Sequence, residues 1–145
     1  MIYNVKREKI EEVLNNMEKI LSHMGPVLKA EKTEVLQNPI TVLAMERALH
    51  IAIESIVDAG NFIIDGFIMR DPGSYSDIVE ILEDEKVVPQ QDAVLLKEFI
   101  VFRKNLVHEY FMIQPEQIYQ LLLDYYSVLL KFGQHVRKYL EKELG

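Results

Sequence analysis

Cysteine is absent from the 145 residues. That excludes disulfides and thiolate metal sites, and it fits a reducing cytosol. Long apolar runs are missing too: none approaches the roughly 20 residues that a membrane-spanning helix needs. At the start, MIYNVKREKIEE, no apolar segment follows a basic one, so no signal peptide is expected. Positive charge is in short supply, with 16 Lys and Arg against 23 Asp and Glu and a formal net charge of -7. A broad nucleic-acid face needs clustered cations for phosphate and is not expected here. One or two arginines in a partly dry cleft can still dominate the local field. There is no Gly-rich phosphate loop, no H-E-x-x-H, and no pair of the Glu-x-x-His segments that di-iron bundles use. Neither a metal nor a cofactor is therefore expected. The chain reads as a single soluble, cytoplasmic domain over residues 1–145, with no membrane association.

The five prolines punctuate what is present, at Gly25-Pro26, Asn38-Pro39, Pro72-Gly73, Val88-Pro89 and Gln114-Pro115. Proline suits the first turn of a helix and is poor inside one, so the breaks delimit five helical segments. The first is predicted from about Val5 to Met24, with Ile10, Val13, Met17, Ile20 and Met24 at helical spacing. The second runs from Pro39 to Gly66, with Asn38 as its N-cap. Its apolar residues lie on two flanks, Ile40, Leu43, Ala44, Ala48 and Ile51 on one, Leu49, Ile53 and Ile56 on the other. The third spans about Ser76 to Lys86, and Ser74 with Asp77 resembles a capping box. The fourth runs from Pro89 to His108 and the fifth from Pro115 to about Lys142. Along the fifth, Ile118, Leu122, Tyr126, Leu129, Phe132, Val136 and Leu140 form the apolar side. No stretch alternates with period two, so no sheet is expected. The fold class is all-α, an antiparallel bundle of four to five helices.

In the fourth segment Leu95, Phe99, Phe102 and Leu106 make one stripe, while Ile100, Val101 and Val107 lie on the other side. A helix apolar nearly all round is buried nearly all round. A second subunit is the simplest cover for the outer face, so a homodimer packed partly through this helix is expected. The alternative cover is the short third helix or a loop.

The same segment carries RKNLVHEY, residues 103–110. Arg103 and Tyr110 are nearly in line on a regular helix, but His108 lies about 140° round the axis from Arg103. Either the helix loosens near Val107, or His108 meets the arginine of a partner chain. An imidazole can take or give a proton near neutral pH, and a guanidinium fits phosphate oxygens with two parallel donors. Together they suit cleavage of an RNA phosphodiester without metal, with Arg103 stabilising charge at phosphorus. Asn105 is placed to orient a phosphate or a water, and Tyr110 to donate to the same phosphate. The structural alternative is that Arg103 and His108 cap carbonyls at a helix end and Tyr110 packs.

Arg103, His108 and Tyr110 fit R-x-x-x-x-H-x-Y, which resembles the signature of HEPN-domain ribonucleases, and the HepT-like toxins among them. ALHIAIESIVDAGNFIIDG (48–66) is similar to that family's long second helix, and SYSDIVEILEDEKVVP (74–89) to its third helix and turn. LKEFIVFRKNLVHEY (96–110) is similar to its motif helix, and the tail from Pro115 to its last helix. The resemblance implies a HEPN-like dimer with two motifs facing one cleft, and metal-independent RNA cleavage by Arg103 and His108. It also implies a partner, a minimal nucleotidyltransferase antitoxin that attaches AMP to the tyrosine, here Tyr110. Adding an anionic group beside Arg103 would fill the phosphate site of the RNA substrate. One position departs from the family: Lys104 stands where a polar uncharged or acidic residue, often asparagine, is usual, and the asparagine follows at Asn105. Lysine can help hold RNA but cannot accept a hydrogen bond. Some HEPN domains bind without cutting, so the alternative function is an inactive helical dimer that binds a partner or nucleotide.

Arg47, His50, Glu54, Asp58, Asn61 and Asp65 recur at spacings of three and four and read first as a solvated stripe, second as a wall of the cleft. His23 and His135 read as surface residues, and Met17, Met24 and Met45 as core.

Overall fold

A computed structural model describes residues 3–145, so Met1 and Ile2, the start of the expected 1–145 domain, lie outside the described residues. Six α-helices follow in order: α1 (Arg7–Lys29), α2 (Lys32–Gln37), α3 (Pro39–Gly66), α4 (Tyr75–Asp84), α5 (Gln90–Ile100) and α6 (Pro115–Leu144). A π-helical turn, Lys104–His108, stands between α5 and α6. Among the described residues there is no strand. The expected all-α bundle is therefore present, with one more helix than the sequence marks. That helix, α2, is six residues long and has Val35 as its single buried residue. A segment so short has too few turns for a periodic signal.

The caps follow the sequence. Asn38 Oδ1 accepts from the amides of Ile40 and Thr41 at 3.1 and 3.2 Å, and so starts α3. Ser74 Oγ accepts from the Asp77 amide at 3.1 Å and starts α4. Asp77 does not complete the box. Its carboxylate accepts from the Gly73 amide at 2.8 Å and from Arg70 at 3.0 Å.

Four expected boundaries change. The third segment ends as a helix at Asp84, two residues before the expected Lys86. The first helix does not stop at Met24 but runs through Pro26 to Lys29. Proline leaves a gap in the ladder there, and one turn upstream the Tyr126 hydroxyl donates to the Leu21 carbonyl at 3.0 Å. The fourth segment does not stay helical to His108 but ends as an α-helix at Ile100. The last segment continues slightly further than expected, to Leu144.

The core joins all six α-helices. Ile10, Leu14, Met17 and Leu21 of α1 face Met45, Leu49, Ile53 and Ile56 of α3 and Leu122, Leu129, Phe132 and Val136 of α6, all buried. Met17, Met24 and Met45 are core, as expected. Burying each such side chain contributes about 1.5–3 kcal/mol. Gly60 lets α4 sit close on α3, since a Cβ there would lie 2.5 Å from Ile78 Cγ2. Two apolar assignments are corrected: Ile40 and Leu43, at the open end of α3, are exposed. The α5 stripe is also rotated from the expected one. Ala93, Leu96, Phe99 and Ile100 are buried, whereas Leu95 and Val101 are exposed.

Candidate active site

Past Ile100 the backbone ladder widens step by step. Phe102 N bonds the Phe99 carbonyl three residues back at 3.1 Å, and Leu106 N bonds Phe102 four back at 2.9 Å. Glu109 N then bonds Lys104 five back, also at 2.9 Å. A π turn holds one more residue than an α turn. It therefore narrows the angular gap between positions five apart, the separation of Arg103 and His108. The helix does loosen near Val107, one of the two alternatives the spacing offered, but within one chain His108 makes no hydrogen bond or ion pair with Arg103 among the described residues.

Arg103 is held from two sides. Its Nε donates to Glu54 Oε1 of α3 at 2.6 Å, and its guanidinium carbon stands 4.8 Å from the ring centroid of Tyr75, the first residue of α4. The hydrogen bond to Glu54 raises the pKa of Arg103 above its ordinary value and keeps it cationic. Among the described residues its two Nη groups make no hydrogen bond, so the outer edge of the fork stays open. The line continues along α3. His50 Nε2 lies 3.7 Å from the same Glu54 oxygen, and His50 Nδ1 lies 3.4 Å from Arg47 Nη1.

Arg47, His50, Glu54 and Asp58 line a groove of about 230 Å³ with Asn16 of α1. Burial, and then the charge of Glu54, push the Asp58 carboxyl above the usual carboxylate range. Of these four, Arg47 and Asp58 are exposed, as a solvated stripe requires, while His50 and Glu54 are half-buried. Asp65, at its far end, is exposed.

The other segment residues are spread along the π turn. His108 ends it and is exposed, and Lys104 is exposed. Within one chain no hydrogen bond or ion pair among the described residues joins His108 to Arg103. Tyr110 is 63% exposed, and its ring meets Phe111 edge-on at 5.9 Å. Asn105 faces a second groove, of about 500 Å³, formed with Phe102 and Glu109 on one side and Gln117, Gln120 and Asp124 of α6 on the other.

Tyr75 was not marked by the sequence as a site residue. An aromatic at the start of a short helix carries no signal for the arginine it covers 28 positions later. His135 is a further correction, because it is not a free surface residue. It is half-buried, and its Nε2 stands 2.8 Å from Oδ2 of the buried Asp92, joining α6 to α5. His23 is exposed, as expected.

The class follows from comparison with known proteins. The chain matches the family described as Ribonuclease HepT-like over residues 8–136, and it belongs to that family. Among individual proteins, it is similar to "Putative RNase YutE" of Bacillus subtilis (strain 168), 44% identical over 144 residues, 99% of this chain and 96% of that protein. The solved structure of that cytosolic protein, YutE, superposes with a TM-score of 0.89 at 42% identity, covering 99% of this chain and 96% of the other. A tri-AMPylated Shewanella oneidensis HEPN toxin in complex with MNT antitoxin superposes with a TM-score of 0.78 over 89% of this chain and 96% of that chain. Its identity is 15%, so that likeness is one of fold.

Proposed function

We propose that this chain is the ribonuclease toxin of a toxin–antitoxin pair, a metal-independent endoribonuclease that works as a homodimer. The observation that carries the reading is the seating of Arg103. Glu54 and Tyr75 fix one edge and one face of the guanidinium, and the Nη edge is left for a phosphate. In this reading His108 removes the proton of a ribose 2′-hydroxyl. The 2′-oxygen attacks phosphorus, the bond to the 5′-oxygen breaks, and a protonated imidazole returns a proton to the leaving oxygen. Arg103 offsets charge that develops on the phosphoryl oxygens. Asn105 and Lys104 hold the backbone on either side.

The dimer supplies what one chain leaves open. Arg103 and His108 do not touch within a protomer, so a cleft between two π turns is where the pair would act together. Exposed apolar side chains on the outer face of this region, Val94, Leu95 and Val101, support that contact.

A minimal nucleotidyltransferase antitoxin is the proposed partner, and its target is Tyr110. The exposed phenol oxygen would attack the α-phosphorus of a nucleoside triphosphate, forming a phenyl–phosphate ester as pyrophosphate leaves and the phenolic proton passes to a base of the antitoxin. The Shewanella toxin, described as tri-AMPylated, gives this part of the proposal its support.

The test is cleavage of RNA by the purified, unmodified protein. His108→Ala is expected to abolish cleavage with helicity retained. Equal cleavage by the two proteins would sink the reading. The absence of a contact between Arg103 and His108 in one chain favours a second reading, a binding module without catalysis, which predicts no cleavage by either.

A further inference from the structure

The groove beside the π turn has a composition the cleavage chemistry does not use. It adjoins Asn105 but takes in neither Arg103 nor His108. Its volume, about 500 Å³, falls within the range of small-molecule sites. The floor is apolar and aromatic, with Phe102, Leu121 and Tyr125 in its wall. The rim is amide and carboxylate. Two of those groups are already engaged with each other, since Gln120 Nε2 donates to Asp124 Oδ1 at 2.8 Å. Gln117 Oε1 accepts from the Gln114 amide at 2.8 Å, and its NH₂ group makes no hydrogen bond among the described residues. The Glu109 carboxylate makes no ion pair among the described residues.

Two carboxylates and no cation on the rim repel a phosphate, so this is not a second backbone site. An apolar groove edged by amides, with the Gln117 NH₂ and the Glu109 carboxylate unengaged among the described residues, fits a neutral ring with mixed edges. Sequence-specific RNA recognition works on such unstacked bases, with aromatic side chains against the face and polar groups on the edge. A carboxylate accepts from an exocyclic amine, as it does from cytosine N4, and is repelled by a carbonyl at the same position. The geometry points to a pocket for an RNA base bearing an exocyclic amine, next to the scissile phosphate. Glu109 accepts from the amine, and the Gln117 amide donates to the neighbouring ring acceptor. Uracil, with a carbonyl in place of the amine, is disfavoured.

The inference rests on the ribonuclease reading for its substrate, but its test separates the two. The probes are cytidine and uridine hexaribonucleotides and an abasic hexamer, which share one backbone and differ only at the base. Binding is measured by calorimetry on the full-length His108→Ala chain, which on the reading above binds without cutting. Cytidine is expected to bind at least fivefold more tightly than uridine, and the abasic strand most weakly. Adding Glu109→Gln, which keeps the shape and can donate to a carbonyl, is expected to bring cytidine and uridine within about twofold. Gln120→Ala serves as a second variant, weakening both base-bearing strands while leaving abasic binding in place. Equal binding of all three strands, no binding of any, or a ratio that Glu109→Gln leaves alone would overturn the pocket. Cleavage of the same strands by the unsubstituted chain is scored separately. Cleavage without base-dependent binding would leave the nuclease and remove the pocket, and base-dependent binding without cleavage would do the reverse.

Discussion

Glu54 and Arg103, 49 positions apart in the chain, meet at 2.6 Å where α3 passes the π turn. The contact is partly buried on both sides and ties the irregular segment to α3, a 28-residue helix of the core. Removing the carboxylate leaves the guanidinium with the Tyr75 ring alone. Glu54→Ala is expected to cost about 1 kcal/mol, a modest figure because solvent screens both groups. Thermal unfolding should register this as a fall of about 2–4 °C. RNA cleavage is expected to fall by more than that loss of stability accounts for, since Arg103 loses its aim, and Glu54→Asp to recover part of it.

Arg103→Lys separates charge from shape. Lysine keeps the cation but has no planar fork to share between Glu54, the Tyr75 face and a phosphate. Cleavage is expected to drop by about a hundredfold, the scale of losing one preorganised donor, while the circular dichroism spectrum stays that of the parent. Full activity in the lysine variant would mean that the fork geometry is irrelevant.

Asp77 gives a pH signature. The Gly73 amide, and then Arg70, hold its carboxyl below the usual carboxylate range. A group whose pKa is lower in the folded state is more protonated in the unfolded chain between the two values, so stability rises with pH there. The contribution is present above the unfolded value of about 3.9 and is lost as pH falls through the folded one. Melting curves from pH 5 downward are expected to converge for the parent and Asp77→Asn, with the variant lower only at the upper end.

The pair between His135 and buried Asp92 predicts an order of effects. His135→Ala leaves a carboxylate buried without its partner, a cost of about 2 kcal/mol given the half-exposed imidazole. Asp92→Asn keeps a hydrogen bond and is expected to cost less. Denaturant midpoints of the two variants give the comparison, and the reverse order would mean that the unpartnered carboxylate is not what destabilises the contact between α5 and α6.

Much of this was legible beforehand because it rests on local rules. Asn38, Ser74 and Pro115 mark helix starts that the fold keeps, and the apolar spacing of α6 from Ile118 to Leu140 is the buried face observed. What escaped depends on tertiary partners. Nothing local shows that α1 continues through Pro26, where the Tyr126 hydroxyl meets the Leu21 carbonyl from a helix about a hundred positions away. The sequence offers Glu54 as one of six residues in a polar stripe and cannot say which of them turns toward Arg103. It brings His135 no visible partner, because Asp92 lies 43 positions away, in the first turn of another helix. Periodicity alone placed Leu95 inside. Leu95 is exposed instead, because α5 turns Ala93, Leu96, Phe99 and Ile100 to the core.

The ladder that lengthens from three to four to five residues across Phe102, Leu106 and Glu109 has one more consequence. No side chain between Lys104 and His108 is fully buried, and of these five only Leu106 packs against the core, so the segment is held more loosely than the helices on either side. Between Val101 and Gln114 there is no glycine. The bundle thus contains a yielding joint made from ordinary residues, whose amide protons should exchange with solvent well before those of α3 or α6.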